Sequence, residues 1–482
     1  MNKQECAIKY VEDNYLQFNR LRHDIIADKL QVRCAHPIGD RLRAPHDTSV
    51  AGDPAEAKGE RQEQWREMTK HDINSIVCHA AQEYDANITS REVMTALQSD
   101  LIPDVHPLRE YILSLPPFTP DQPDWIDFVA SQVRVRTNNN EDTLIQQPKQ
   151  QITNNIPLAN TASGEGNNPI PSASEPSEHL NISSADRLWR GCFKKWFVAM
   201  VASWMKDEVV NHQVLVLIGK QGIFKTTWLE HLIPPHLRAY ACKLANSNDL
   251  NKDERLRIAE FGLISLDEID SMNNRELNQL KSVITATDVN ERAAYAYTKE
   301  RRVRLASFCA SGNRRDFLTD ITGNRRWLPF EVESIQNPFY TLLPYERMYA
   351  QAWALAQDPL FSYWFDLDEI EVMEQHNQYF RDESNEEQLL PILFDVPAEG
   401  RGEFMTTAQI SERLVTYGNI KKPMALSRLG MVLGAAGFRA VTRNAGSGRA
   451  RGWIVYQRDN NEIDTLRRLL KDETSQLDTA IY

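Results

Sequence analysis

The chain has 482 residues, 41% of them apolar and 25% charged, with a formal net charge of −12 and a pI near 5.5. That length exceeds a single core and predicts about three domains, while the acidic balance excludes a protein that coats nucleic acid by overall charge and leaves only local basic patches for such contacts. Six cysteines without a CxxC pair exclude a disulfide framework or zinc module, and no stretch approaches the roughly 18 apolar residues of a membrane span, so a cytoplasmic protein is expected.

Residues 1–136 predict a mixed, largely helical N-terminal region. Asn14–Arg33 is partly helical in pattern and 45–62 reads as a loop. Asp72–Tyr84 and Ser90–Leu101 read as helices, the second capped at Ser90, and His106–Pro123 as a short helix broken by prolines. Tyr111, Leu113, Leu115 and Trp125 are expected core, and no carboxylate pair has primase spacing, so a primase would be a separate partner. Residues 137–184, rich in Asn, Gln, Ser and Pro, bury too little apolar surface to offset ordering entropy and predict a disordered linker. From Ser184, the residues Trp189, Phe193, Trp196, Phe197, Met200 and Trp204 recur at helical intervals, and packing on a core explains that stripe more simply than base stacking.

The predicted core, 185–335, is organised around VLVLIGKQGIFKTT, residues 214–227. Val214–Ile218 has the pattern of a buried parallel strand. The loop that follows, with Gly219, Gln221 and Gly222, can turn backbone N–H groups toward a polyphosphate, and Lys225, Thr226 and Thr227 open a helix whose N-terminus favours anions. Lys225 is placed to bind phosphate and Thr226 to hold Mg²⁺. In FGLISLDEID, residues 261–270, an apolar strand ends in Asp267 for the metal and Glu268 for activation of water. VRLASFCASGN, residues 303–313, is a third buried strand ending at Asn313, the position that senses the γ-phosphate in ring ATPases. DITGNRRWLPF offers Arg325 or Arg326 as an arginine finger for a neighbouring subunit. Between the second and third strands, Arg292, Lys299, Arg301, Arg302 and Arg304 interleave with Tyr295 and Tyr297 in a hairpin pattern, which offers cations for phosphates and π-faces for bases.

Residues 336–400, with amphipathic Tyr345–Gln357 and Leu367–Phe380 and an acidic run at Asp382–Glu387, predict a helical lid. Residues 401–460 read helix, helix, strand, basic Gly-rich loop, strand, the pattern of a winged helix. Arg428 on its second helix, with Arg439, Arg443, Arg449 and Arg451 around the loop, makes a local basic face for DNA. Residues 461–482 are a tail.

Taken together, GKQGIFKTTWL, LISLDEID, NERAAYAYTKERRVRLASFCASGN and FLTDITGNRRWLPFEV resemble the virulence-associated E family of P-loop ATPases, found on phages and other mobile elements and similar to superfamily 3 helicases. The resemblance covers about residues 185–380, and more faintly 60–130. It implies an α/β core of AAA+ and superfamily 3 type with ATP and Mg²⁺ as cofactors. It also implies a homo-oligomeric ring, expected as a hexamer, and movement on single-stranded DNA in replication of a mobile element, with the basic hairpin in the ring channel. Phe224 departs from the glycine expected before the lysine, which bears on turnover rather than on binding. A second reading fits the same residues: an ATP-switched regulator whose winged helix binds duplex DNA without unwinding it.

Overall fold

Lys3–Val11 forms helix α1, closed at its start by a capping box between Asn2 and Glu5. Of the segment read as partly helical beyond it, only the start is helical, in the π-helical turn Glu12–Leu16, and the rest is a β-hairpin. Leu21–Asp24 (β1) pairs antiparallel with Lys29–Cys34 (β2), in a register that sets buried Leu21 opposite buried Val32, and Asp28 takes a positive φ of 54° in the connecting turn. Gln64–Glu67 (β3) pairs with β2 and Asp104–Val105 (β4) with β1. Lys70–Glu83 (α2) and Ser90–Leu97 (α3) bury Ile76, Ala80, Val93 and Leu97 in a core shared with this sheet, so the N-terminal unit is α/β rather than helical. Thr89, one residue before the predicted cap, is the N-cap of α3, with Glu92 closing its box. The computed structural model describes residues 1–34, 64–136, 183–244, 252–291, 300–319, 324–398, 402–445, 448–466 and 468, so the readings of 45–62 and 137–182, and of Arg292, Tyr295, Tyr297 and Lys299, lie outside the described residues.

The next three elements leave the N-terminal unit. Pro107–Ser114 (α4), Trp125–Ala130 (α5) and Val133–Val135 (β5) contribute Leu108, Ile112, Ile126, Val129, Val133 and Val135 to the main core. Tyr111, Leu115 and Trp125 pack against it as expected, whereas Leu113 is 68% exposed. Ser184–Met205 (α6) starts at the N-cap Ser183, and Trp189, Phe193, Trp196, Phe197, Met200 and Trp204 are all fully buried in that core.

Val214–Ile218 forms β6, followed by Lys225–His231 (α7), Ala241–Leu244 (β7), Lys252–Glu260 (α8), Leu263–Leu266 (β8), Asn274–Thr285 (α9), Asp288–Glu291 (β9), Glu300–Val303 (β10), Ser307–Gly312 (β11) and Trp327–Ile335 (β12). The main sheet runs β5-β12-β6-β11-β8-β7, with β5 antiparallel to β12 and every other pair parallel. Successive residues of β6 enter opposite cores: Leu215 and Leu217 meet α6, while Val214, Val216 and Ile218 meet α9. Cover on both faces explains why these strands read as unbroken apolar runs. Since β6, β8, β11 and β12 are parallel, all four end at one edge, the place where open α/β sheets hold their ligands.

Tyr345–Gln357 (α10) and Leu367–Asn377 (α11) bury Met348, Tyr349, Ala352, Ala356 and Met373 in the same core as α6. They therefore cover a face of the sheet instead of forming a separate lid. Asn385–Leu393 (α12) opens on the acidic run: Ser384 caps it, and Glu386 and Glu387 are buried at its positive N-terminal end. This helix packs with the C-terminal unit, which thus begins near 384 rather than 401. The rest of that unit is Phe394–Asp395 (β13), Glu403–Met405 (β14), Thr407–Gly418 (α13), Leu426–Ala435 (α14), Arg439–Ala445 (β15) and Gly448–Gln457 (β16), with Leu390, Ile410, Leu414, Leu429, Leu433 and Val455 at its centre. Among the described residues no helix is long and apolar enough to cross a membrane.

Arg304, the last cation of the basic run, is wholly buried, which corrects its expected place on a DNA-gripping hairpin. Its guanidinium donates to the carbonyls of Asn211 (2.9 Å), Ala286 (3.2 Å) and Ala306 (3.0 Å) and to Ile284 O, and so binds the C-terminal end of α9 to the start of β11. Arg304→Ala strands those buried acceptors and is expected to lower the unfolding free energy by at least about 3 kcal/mol, read by denaturant titration.

Candidate functional site

The edge where β6, β8 and β11 end carries a cleft of about 330 Å³ lined by Gln221, Gly222, Phe224, Lys225, Thr226, Thr227, Asp267, Glu268, Ser311, Gly312 and Asn313. The three predicted motifs therefore meet in one place. β11 lies between β6 and β8, so the Asn313 end of that strand stands between the glycine loop and the acidic pair. The loop after β6 is tightly fitted: a Cβ on Gly219 would lie 2.7 Å from Val332 O, and Gly222 has a φ of 86°. Phe224, the N-cap of α7, holds a left-handed φ of 67°, strained for a residue with a Cβ. The expected glycine would adopt that backbone freely, so the departure adds a side chain at a backbone conformation that suits glycine. The amides of Lys225, Thr226 and Thr227 open α7 and have no backbone partner among the described residues, as first-turn donors lack one in any helix.

Lys225 is 7% exposed and folds its ammonium back on the loop, donating to Gly219 O (2.8 Å), Lys220 O (2.7 Å) and Asn313 Oδ1 (3.3 Å). Burial lowers its pKa, partly offset by Asp270 and Asp267. Thr226 Oγ1 contacts Asp267 Oδ1 (3.2 Å) and Ser311 Oγ (2.9 Å), and Ser311 Oγ donates to the same carboxylate oxygen (2.8 Å). The second oxygen of Asp267 pairs with Lys243 Nζ at 2.9 Å. Burial would raise the Asp267 pKa, but Lys243, Ser311 and Thr226 together hold it below the usual carboxylate range, so it stays ionised at neutral pH. Two hydroxyls and a carboxylate converging this closely are hard oxygen donors suited to Mg²⁺. Glu268 is exposed into the cleft with a left-handed φ of 54°, and its carboxylate has no partner among the described residues.

Three further residues complete the site and were not read from the sequence. Ser311 bridges Thr226 and Asp267, and its signal was a hydroxyl breaking an apolar strand two residues before Asn313. Asp270 accepts the backbone N–H groups of Asn313 and Arg314, each at 3.1 Å, and so fixes the turn that presents Asn313. Lys243 lies on β7, a strand with no sequence signal, and local patterning could not connect it to Asp267.

Arg325 and Arg326 are not in the cleft. They precede β12 at the opposite end of the sheet, where Arg326 O accepts from Val214 N (2.8 Å) and the Gln213 amide donates to both of their carbonyls. The five residues of β6 separate them from the loop, a distance of roughly 16 Å at the rise of a strand. Among the basic residues read as DNA contacts, Arg301 is exposed and paired with Asp288. Arg302 is 19% exposed and ion-paired to Asp28 of the β1–β2 turn and to Glu260, so it ties the hairpin base to the N-terminal unit. Arg428 donates to Thr319 O (3.2 Å), which joins α14 to the core instead of leaving that side chain free. On the C-terminal hairpin Arg449 and Arg451 stand opposite Asn444 and Thr442, whereas Arg443, stacked over Phe404, and Arg439 alternate to the other face.

Residues 174–388 match the family model of the virulence-associated protein E-like domain. This part of the chain is similar to that domain. The matched span runs from before α6 into α12 and contains every cleft residue named above. Of solved structures, the apo A form of the NrS-1 C-terminal region is 11% identical, with 91% of this chain and 98% of that one covered and a TM-score of 0.43. An apo structure of residues 305–718 of the same region is 11% identical, covering 93% and 99%, with a TM-score of 0.41. No curated protein matches the chain.

Proposed function

We propose that the matched part of the chain is a P-loop ATPase of AAA+ and superfamily 3 type that couples ATP hydrolysis to movement on DNA in replication of a mobile element. The observation that carries this reading is the convergence of Lys225, Thr226, Asp267, Ser311 and Asn313 at the ends of three adjacent parallel strands, with β11 inserted between the glycine-loop strand and the acidic strand. Lys225 exchanges its loop carbonyls for the terminal phosphates, and Asn313, already within reach of that ammonium, contacts the γ-phosphate. Thr226 and Asp267 would hold Mg²⁺, which would supply positive charge to offset that of the phosphates. Glu268 takes the proton of the attacking water. Arg325 or Arg326 serves the site of a neighbouring copy, which calls for a ring. The C-terminal unit, with three helices and the β15–β16 hairpin, is read as a winged helix whose Arg439, Arg443, Arg449 and Arg451 meet DNA phosphates; Arg301 is the remaining described candidate on the core.

The ion pair between Lys243 and Asp267 favours one second reading, a nucleotide switch in which a cation already sits where the metal must bind. Phosphate release measured with and without single-stranded DNA separates the two. Turnover that rises with DNA and vanishes in Lys225→Ala supports the motor. Tight ATP binding with negligible turnover, indifferent to DNA, leaves the switch.

A further inference from the structure

The cleft has a direction. Asn313, Glu268 and Asp267 lie on its β8–β11 side and mark where a terminal phosphate reacts, so a bound polyphosphate must leave toward Thr227 and the β12 side. β12 runs parallel to β6 and pairs Glu331 with Ile218, so the chain that follows it emerges beside the same loop. That stretch, residues 336–343, is a built turn: Asn337 Oδ1 accepts Phe339 N (3.0 Å), and Asn337 O accepts Tyr340 N and Thr341 N, each at 3.1 Å. Yet the turn presents Phe339 at 64% exposure and Tyr340 at 86%. Phe339 is held edge-on to Phe224 (ring centroids 6.5 Å apart) and to His231 (5.4 Å), whose Nδ1 is anchored on Thr227 O (2.7 Å). A braced turn that leaves aromatic faces in water, set against the first turn of a phosphate-binding helix, is shaped for a flat apolar ring attached to the phosphates.

We propose that Phe339, flanked by Phe224 and His231, is the seat of the nucleobase, and that it holds purines by stacking and does not read their edges. The proposal rests on the phosphate-site reading above. It gives the unusual Phe224 a use: the side chain that strains the loop forms one wall of the seat. Stacking on an aromatic face is tolerant of base identity and grows with ring area, so ATP and GTP bind alike, ahead of CTP.

Calorimetric titration of the full chain with ATP, GTP, CTP and inorganic tripolyphosphate, each with Mg²⁺, tests this. The expected result is an ATP affinity about tenfold weaker in Phe339→Ala, with tripolyphosphate binding unchanged and ATP affinity restored in Phe339→Trp. An unchanged ATP affinity in Phe339→Ala overturns the seat, as does an equal loss for ATP and tripolyphosphate. A change in sedimentation of Phe339→Ala with ATP affinity intact also overturns it and assigns the aromatic turn to a neighbouring copy. A wild-type chain that binds neither ATP nor tripolyphosphate instead removes the phosphate-site reading beneath it.

Discussion

Glutamine at position 268 is expected to leave ATP binding intact while phosphate release falls by about 10²- to 10⁴-fold, the usual worth of a positioned general base. The replacement keeps size and hydrogen-bonding reach and removes only the ability to accept a proton. The backbone position survives it, because the left-handed turn at 268 is held by Ser271, whose N–H (2.9 Å) and hydroxyl (2.7 Å) both donate to the residue's own carbonyl. Asp267, tied to Thr226, Ser311 and Lys243, is untouched by the change, so the metal donors remain in place. Binding by calorimetry and single-turnover phosphate release, run on the same preparation, read the two effects separately. A Glu268→Gln protein that turns over normally would move the base elsewhere, and one that no longer binds ATP would make Glu268 a binding group.

The arginines before β12 carry the other large expectation. Lying at the far end of the sheet from the cleft, they cannot serve the nucleotide of their own chain. If one of them is a finger, its loss should lower turnover by about 10³- to 10⁵-fold, with ATP affinity kept. The decisive form is a mixture: Lys225→Ala subunits retain the finger and Arg326→Ala subunits retain the lysine, so an inactive preparation of each should regain activity on mixing. Arg325→Ala is run in parallel, since Arg325 is exposed whereas Arg326 is half-buried, with its pKa lowered by burial and by Arg325. Activity retained in both single variants sinks the finger assignment, and so does the failure of every mixture to regain activity.

The site was legible because its parts are local. A five-residue apolar run before a glycine loop, an apolar strand ending in Asp267 and Glu268, and a strand ending at Asn313 each announce a buried parallel strand with chemistry at its end, and the fold needed only to lay them side by side. Helices α6 and α10 were legible for a similar reason, since their periodicity is long and strong. What escaped depends on partners far away in the chain. Val135 pairs with Val332 across nearly 200 residues, and nothing in the three-residue strand β5 announces it. Arg304 reads as one more cation in a basic run, and only the carbonyls of Ala286 after α9, Ala306 before β11 and Asn211 make it a buried strut. The short strands β1 and β2 were lost among helical spacings because six residues or fewer leave little alternation to detect.

The placement of β5 changes the meaning of the Asn- and Ser-rich stretch after it. Trp189 Nε1 on α6 donates to Ala130 O on α5 at 2.9 Å, and Lys194 pairs with Asp124 at 2.6 Å, so the residues just before 137 and just after 182 are near neighbours in one core. The pieces on either side therefore share the main hydrophobic core, to which the first contributes Leu108, Ile112, Ile126, Val129, Val133 and Val135. A boundary chosen by composition for a truncated protein would cut away an edge strand and two helices, and expose β12 as a fresh sheet edge open to pairing with another chain.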